Sequence, residues 1–233
     1  MGSEMIESHR WRPSLNQKII IAALLGLLCC LCRGLDADTL VYGNFESNAL
    51  YFNNVNETAD EAIFPLFGAP TVDGNALVFS NTTFAATVGE NSLDFIDGRL
   101  ATSISAKSGK QIYGFELSES GSFINSGDDV DVFVSGVAFA TAAGTVYNAD
   151  FQQWDNASGQ GDWSGSLTVK FAQPVDSFIF VVDNQLFARA GAGSTASIFK
   201  DEVRLSVIVP EPSSTLLGPI LAALIACRRR RDR

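Results

Sequence analysis

Two tryptophans with polar neighbours are the residues in this chain whose types most directly suggest chemistry. The Gly- and Ser-rich segment 151–165 contains Trp154, Asp155, Asn156, Asp162 and Trp163. An exposed indole beside hydrogen-bonding groups suits stacking on a sugar ring, because the face of a pyranose is apolar and its rim is polar. We therefore predict a carbohydrate-binding loop formed by Trp154, Trp163, Asp155 and Asn156. In the competing interpretation, both indoles cap an open end of the protein core.

Aspartates cluster at two places and raise the question of calcium. Asp128, Asp129 and Asp131 form one group, and Asp155 with Asp162 forms another. Carboxylate oxygens are the ligands that calcium prefers, but neither group has an EF-hand or nonapeptide pattern. Asp129 and Asp131 alternate with valines, which favours solvated charges on the wet face of a strand. We therefore predict no metal site and no cofactor.

The positions of cysteine and histidine exclude several kinds of catalytic and metal site from the central region. Both residue types are confined to the terminal segments, at His9, Cys29, Cys30, Cys32 and Cys227. The region between these segments therefore has no disulfide, no Cys or His zinc site, no Cys–His pair and no Ser–His–Asp triad. Acid–base chemistry there would fall to carboxylates, lysine or tyrosine.

A carboxylate-dependent glycoside hydrolase is the enzyme class that this composition leaves open. Glu116 and Glu119 form the most obvious pair. Alternation places Glu116 on a wet strand face, and we predict a turn at Glu119, which disfavours a catalytic pair. We therefore predict that the protein is not an enzyme.

The net charge of the central region indicates which binding partners are disfavoured. Residues 38–213 contain 22 acidic and 7 basic residues, a net charge of −15. Such a surface repels phosphate backbones, so no nucleic-acid partner is expected. It suits a soluble extracellular face.

The first 37 residues have the order of a secretion signal read by the Sec machinery. A positive stretch with Arg10, Arg12 and Lys18 precedes the 13-residue apolar run Ile19–Leu31. At 1.5 Å per residue this run covers about 20 Å of a bilayer core of about 30 Å, which favours a cleaved signal helix. We predict cleavage between Ala37 and Asp38. A retained anchor and a lipoprotein at Cys29 or Cys30 remain alternatives.

Three elements follow one another at the other end of the sequence. Residues 209–213 read Val-Pro-Glu-Pro-Ser, residues 215–227 are apolar, and arginines close the chain. Pro210 and Pro212 cannot continue a strand ladder, so they end the last strand and present Glu211 in an extended conformation. The basic end favours a cytoplasmic C-terminus by the positive-inside rule, and it comprises Arg228, Arg229, Arg230, Arg231 and Arg233.

This order resembles the PEP-CTERM sorting signal of Gram-negative and related bacteria, in which Pro-Glu-Pro precedes a membrane helix and an arginine-rich end. The resemblance covers about 25 residues and rests on Pro210, Glu211, Pro212 and Arg228–Arg231. It implies an exosortase that recognises the motif and removes the tail, usually in bacteria that make exopolysaccharide. The apolar stretch is shorter than usual and is interrupted by Gly218 and Pro219. A plain C-terminal anchor and a tail that packs on the domain remain alternatives.

Period-two alternation dominates the region between the two ends. Four runs each place apolar residues on one face, and they begin near Leu100, Tyr113, Leu167 and Val203. Residues 178–182 are apolar on both faces, as in a central strand. The prediction is all-β, with a single antiparallel β-sandwich, jelly-roll-like, at 38–208. Residues 1–37 are predicted to be an N-terminal tail and signal peptide that contain a signal helix, and residues 209–233 a sorting tail that contains a short membrane-seeking helix.

Local signals add finer expectations. Val130, Val132 and Val134 are even-numbered whereas Val137 and Phe139 are odd, which predicts a bulge at Ser135–Gly136. Turns are predicted at the dipeptides Asn53-Asn54, Asp73-Gly74 and Asp97-Gly98. Residues 183–201 resemble the last hairpin of ectodomains that carry this sorting tail and have no assigned activity.

Three hypotheses about function follow from these observations. The first is an exported, non-catalytic cell-surface or matrix protein that is processed through its C-terminal sorting signal, first at the inner membrane and then at the cell surface or in exopolysaccharide. The second is a carbohydrate-binding β-sandwich that uses the Trp154/Trp163 loop. The third is a carboxylate-dependent glycoside hydrolase.

Overall fold

The computed structural model describes residues 38–59, 65–80 and 82–210, and all regular structure in these ranges is β-strand. The all-β prediction is confirmed. The signal helix predicted at 1–37 and the helix predicted within 209–233 lie outside the described residues. Within the three described ranges, no helix is long and apolar enough to cross a membrane.

Twelve strands of the described residues form two antiparallel sheets. The first sheet has the order β1-β2-β6-β11-β8-β9, and the second has the order β10-β7-β12-β4-β3, with β5 also paired to β12. The strands are β1 (Asp38–Glu46), β2 (Leu50–Ala59), β3 (Thr71–Asp73), β4 (Ala76–Phe79), β5 (Ala85–Val88), β6 (Ser92–Ala106), β7 (Ile112–Ser126), β8 (Val130–Ala142), β9 (Thr145–Asp155), β10 (Gly159–Val175), β11 (Ser177–Ala190) and β12 (Thr195–Ile208).

One hydrophobic core fills the space between the sheets, and alternation decides which residues enter it. On β6, the residues Leu100, Thr102 and Ile104 are buried, as their period-two pattern predicts. The predicted inward residues of β10 and β12 are also buried. Residues 178–182 belong to β11, which lies between β6 and β8 at the centre of the first sheet.

The predicted bulge at Ser135–Gly136 is wrong. Strand β8 pairs with β11 and with β9 in unbroken register, so the even positions continue to face the core. Ala138 and Ala140 are fully buried there, whereas Val137 and Phe139 lie on the outer face and are only partly buried. Small alanines therefore occupy the core positions of this part of β8.

Two of the three predicted turns are wrong, while the turn at Asp73-Gly74 forms the tight connection between β3 and β4. The Asn53-Asn54 dipeptide lies inside β2, at an irregularity in its pairing with β6. Gly98 lies inside β6, where a Cβ atom would approach side-chain atoms of Leu66 and Phe84 to 2.7 Å. Close packing therefore explains this glycine, and no turn occurs there.

Two further expectations need correction. The predicted last hairpin does not form, because β11 belongs to the first sheet and β12 to the second, and the segment between them crosses from sheet to sheet. The alternating run that begins at Tyr113 and continues with Phe115 and Leu117 predicts that all three side chains face the core. Phe115 and Leu117 do so, but Tyr113 is 42% exposed. The pairing of β7 with β10 shifts near Gly114, which turns Tyr113 to the opposite face.

Candidate functional site: an aromatic row on the first sheet

The structure separates the two tryptophans that the sequence grouped in one loop. The segment 151–165 is not a loop: it comprises the end of β9, a short connection at 156–158 and the start of β10. Trp154 lies on the outer face of the first sheet and is 62% exposed. Trp163 points into the core, where it is 3% exposed and its indole Nε1 donates a hydrogen bond to the carbonyl of Phe199 at 2.9 Å. Trp163 therefore offers no surface for stacking.

The remaining residues of the predicted loop have separate roles. Asp155 accepts a hydrogen bond from the backbone N–H of Ala157, which closes the connection to β10, and Asn156 is exposed in that connection. Asp162 is exposed on β10, in the second sheet. Of the residues predicted to form the loop, Trp154 alone contributes to an exposed aromatic surface, and its partners there come from neighbouring strands of the first sheet.

Trp154 is the outermost member of an aromatic row that crosses four adjacent strands. Phe95 on β6 lies opposite Phe187 on β11, Phe187 lies opposite Phe133 on β8, and Phe133 lies opposite Trp154 on β9. Directly opposed residues in antiparallel strands share one face of the sheet. With neighbouring strands about 4.8 Å apart, the row extends for about 14 Å from the edge strand inward.

The rings of Phe133, Trp154 and Phe187 are in contact through Trp154, and the row still reaches solvent. The centroids of Phe133 and Trp154 are 4.2 Å apart with a 33° tilt, and those of Trp154 and Phe187 are 6.4 Å apart in an edge-to-face arrangement. Phe95 is 44% exposed at the inner end of the row, and Phe133 and Phe187 are partly buried. The aromatic row is therefore an exposed apolar strip held in place by ring packing.

Polar side chains border the strip on both sides. One neighbouring row of opposed residues consists of Asp97, Gln185, Ser135 and Gln152. The other places the aliphatic Leu93 beside Arg189 and Asp131. An apolar strip between hydrogen-bonding amides and charged groups has the chemistry of a binding surface for an amphipathic ligand.

The charged border is an ion-pair cluster. The guanidinium of Arg189 contacts carboxylate oxygens of Asp129 at 2.6 Å and Asp131 at 2.7 Å. Hydrogen bonds to Asp131 and then to Asp129 raise the pKa of Arg189 above its ordinary value. These two candidate calcium ligands are thus already paired with a cation. In the ranges that the structure describes, no group of three or more metal-ligating side chains is found.

The candidate hydrolase residues Glu116 and Glu119 lie on opposite faces of β7. Glu116 is exposed, whereas Glu119 is fully buried, and the turn predicted at Glu119 is replaced by the middle of a 15-residue strand. Two carboxylates on opposite faces of a sheet cannot flank one glycosidic bond.

Glu119 belongs instead to a polar cluster inside the core. Its carboxylate pairs with the ammonium of Lys200 from β12, which also contacts the Oδ1 of Asn184 from β11. We call these three residues the interior cluster. Burial lowers the pKa of Lys200, and the neighbouring charge of Glu119 opposes that shift. The sequence did not predict this cluster, because the register of β12 shifts between Lys200 and Glu202 and turns Lys200 inward out of phase with Val203.

A second buried carboxylate, Glu57, has a structural role. It accepts hydrogen bonds from the hydroxyl of Tyr42 and from the backbone N–H groups of Leu66 and Phe67. Burial and then the hydrogen bond to Glu57 raise the pKa of Tyr42 above its ordinary value. Because all three donors point at one carboxylate, Glu57 fastens the segment that begins at Pro65 to the core.

A shallow depression of about 320 Å³ without aromatic residues lies on the outer face of the second sheet. It is lined by Ser118, Ser120, Ser164, Gly165, Ser166 and Glu202, and by the strand at Glu119, whose side chain is buried on the opposite face. A ligand there would meet mainly hydroxyl groups and a carboxylate, so this depression has less apolar contact area to offer than the aromatic row.

The fold and the aromatic row define a two-sheet β-protein with an exposed aromatic strip. No protein-family model matches the chain, and no curated protein is detectably similar to it. Of the predicted sorting and cleavage residues, Asp38 begins β1 and Pro210 is the last described residue. Ala37, Glu211, Pro212 and Arg228–Arg231 lie outside the described ranges.

Proposed function

We propose that this protein is an exported, non-catalytic component of the bacterial cell surface or its exopolysaccharide matrix, and that it holds polysaccharide on the aromatic row. The observation that carries the binding role is the cross-strand register that places Phe95, Phe187, Phe133 and Trp154 side by side. The ligand that fits is a polysaccharide chain whose sugar faces stack on the rings.

Three properties of the protein support a polysaccharide ligand. The strip is narrow and long, which matches an extended chain. Its neighbours Gln152 and Gln185 offer amide donors and acceptors suited to sugar hydroxyls. The central region has a net charge of −15, which favours neutral or cation-bearing polymers over nucleic acid.

Export and sorting are supported by the order of elements in the sequence. A positively flanked apolar run precedes the strands, and the Pro-Glu-Pro motif begins at Pro210, directly after β12 ends at Ile208. We also assign the two sheets to a jelly-roll-like sandwich. The support is that β6, β7 and β8, and then β10, β11 and β12, alternate between the sheets.

Replacing Trp154 with alanine is expected to weaken binding to the cognate exopolysaccharide about tenfold. Loss of the most exposed ring removes stacking worth about 1 kcal/mol together with its apolar contact area. The measurement is retardation of the purified protein in native gels that contain graded polysaccharide. Tyr113→Ala is the matched control, because Tyr113 is a similarly exposed aromatic residue at 42% and lies outside the row.

Fluorescence gives the same test a second readout. Polysaccharide should shift the emission of wild-type protein to shorter wavelength, and Trp154→Phe should keep binding while losing most of that shift. Equal retardation of wild type, Trp154→Ala and Tyr113→Ala would contradict the proposal. So would a wild-type protein that self-associates through the row and binds no polysaccharide.

Sorting is tested at Glu211. The variant Glu211→Ala is expected to accumulate as an unprocessed form, because the resemblance makes this carboxylate the centre of the motif that exosortase recognises. Mass spectrometry of protein recovered from membrane and surface fractions would detect Arg233 in the retained form. Glu116→Ala, which removes an exposed carboxylate of β7, should be processed normally. Normal processing of Glu211→Ala would count against the sorting role.

A further inference from the structure

The interior cluster is an unusual set of side chains for the core of a β-protein. The side chains of Lys200 and Glu119 are both fully buried, and Asn184 is also fully buried. The Nζ of Lys200 lies 5.2 Å from the ring centre of Phe84 and 5.7 Å from that of Trp163. An amine, an amide and a carboxyl group therefore meet where water is excluded.

The hydrogen bonding of this cluster is incomplete. Nζ of Lys200 donates to Asn184 Oδ1 at 2.5 Å and to Glu119 Oε2. In the described part of the chain, Asn184 Nδ2 and Glu119 Oε1 have no hydrogen-bond partner. A buried amide that leaves its N–H donors unpaired costs free energy, so a purely structural role explains Asn184 poorly.

We propose that Lys200 and Asn184 form an intramolecular isopeptide bond across the core, with Glu119 as the catalytic residue that transfers protons. The three groups have the required identities: an amine nucleophile, a carboxamide electrophile and a carboxyl group in contact with the reacting nitrogen. The unpaired Nδ2 is then the leaving group, and the reaction removes the polar atom that the fold leaves without a partner.

The reaction balances without any further reactant. Glu119 accepts one proton from the ammonium of Lys200, which frees the lone pair on Nζ. The amine attacks Cγ of Asn184, so the Nζ–Cγ bond forms and the tetrahedral centre holds both nitrogens. Glu119 passes its proton to Nδ2 and takes one from Nζ; the Cγ–Nδ2 bond breaks and ammonia leaves. The product is a neutral amide beside a protonated carboxyl group.

The surroundings favour the proton transfer and hold the reacting groups together. Burial lowers the pKa of Lys200, which favours the neutral amine that the attack needs. Transfer of a proton from the ammonium to the carboxylate turns a buried ion pair into two neutral groups, which an apolar interior favours. Strand pairing holds the groups in place, since Lys200 lies opposite Gly121 on β7, two residues from Glu119.

The bond would join the two sheets. Asn184 lies on β11 at the centre of the first sheet, and Lys200 lies on β12 of the second. These strands do not pair with each other, and the segment between them is the crossing from sheet to sheet. A covalent link there resists separation of the sheets, which is useful to a protein that bears load or meets proteases outside the cell. This benefit rests on the proposed surface location, whereas the chemistry does not.

Peptide mass spectrometry of the full chain purified from expressing cells tests the proposal. Trypsin cuts after Lys170, Arg189 and Arg204, so it separates peptide 171–189, which contains Asn184, from peptide 190–204, which contains Lys200. The expected product is a branched pair of these peptides with two N-termini. Its mass should be below the sum of the two peptides by about 17 Da, the mass of the released ammonia.

Three further results are expected if the bond forms. Trypsin should not cut after Lys200, because its amine is acylated, and an amine-reactive reagent should leave Lys200 unlabelled in denatured protein. Glu119→Gln should lose the branched pair, since an amide cannot relay the proton. Glu116→Gln, on the opposite face of the same strand, should keep it.

The wild-type chain alone can overturn the proposal, so a variant that fails to fold does not weaken the test. Quantitative recovery of the free peptides 190–200 and 201–204 from wild type would refute the bond. A link from Lys200 to peptide 111–170, which contains Glu119, with loss of water in place of ammonia, would refute the assignment of Asn184.

Discussion

Replacing Lys200 with methionine is expected to lower the free energy of unfolding by about 4–6 kcal/mol. In the cross-linked protein this change removes the amide that contacts the buried carboxyl of Glu119, and a buried polar group left without its hydrogen bond costs about 1–3 kcal/mol. Loss of a cross-link that closes a loop of about 15 residues costs about 3 kcal/mol more by chain entropy. Methionine keeps the length of the lysine stem, so the change tests the side-chain nitrogen more than the packing. Single domains have a total stability of about 5–15 kcal/mol, so this variant approaches the limit of folding.

Urea unfolding followed by the fluorescence of the buried Trp163 measures this loss. The double variant Lys200→Met/Glu119→Leu separates its two parts, because it removes both polar groups and leaves an apolar contact. The double variant should regain about 1–3 kcal/mol over Lys200→Met and remain about 3 kcal/mol below wild type. A double variant as stable as wild type would show that no cross-link contributes.

The alternating strands could be predicted from sequence because a sheet with one buried face imposes period two on each strand separately. Leu100, Thr102 and Ile104 satisfy this rule within one run of residues, so no knowledge of neighbouring strands is needed. The rule fails where a core position is small. On β8 the alanines at 138 and 140 face the core, and the larger Val137 and Phe139 point outward, so a choice based on size alone selects the wrong face.

The reason for some glycines could not be predicted from sequence either, because the side chains that pack against them lie elsewhere in the chain. Gly98 resembles a turn residue in sequence, but it provides space for Leu66 and Phe84. Gly136 on β8 likewise lies under the ring of Phe151, to which a Cβ atom would come within 2.5 Å. Neither requirement is visible until the strands are paired.

Both candidate sites depend on register between distant strands, which the sequence does not encode locally. The aromatic row takes one residue from each of four strands, which are spread along the sequence from Phe95 to Phe187. Each of these residues alone looks like any aromatic side chain in a β-strand. Trp154 was identified because indole is distinctive, but its partner was taken from the nearest sequence, Trp163, and not from the opposite strand. Lys200 is buried because the register of β12 shifts between Lys200 and Glu202, so its position in the core does not follow from its spacing to Val203.

Replacing Glu57 with alanine is expected to lower the free energy of unfolding by about 3–5 kcal/mol. Its carboxylate accepts hydrogen bonds from the Tyr42 hydroxyl at 2.7 Å, the Leu66 N–H at 2.8 Å and the Phe67 N–H at 2.9 Å. Alanine leaves buried donors unpaired, and each costs about 1–3 kcal/mol. The change also opens a cavity beside Phe67, which packs edge-to-face on Phe84 at 5.4 Å between ring centres.

Matched variants separate hydrogen bonding from charge in this prediction. Glu57→Gln keeps the side-chain volume, but its NH₂ group would face one of the hydrogen-bond donors that the carboxylate accepts from. This variant should therefore recover only part of the stability that Glu57→Ala loses. Glu46→Ala removes a carboxylate whose side chain is 67% exposed in an ion pair with Lys107, and it should cost less than about 1 kcal/mol. Urea unfolding of the three variants gives the comparison.

Limited proteolysis should cut Glu57→Ala near Pro65, because the segment held by this carboxylate is then released from the core. Equal stability of Glu57→Ala and Glu46→Ala would show that the buried carboxylate does not fasten that segment.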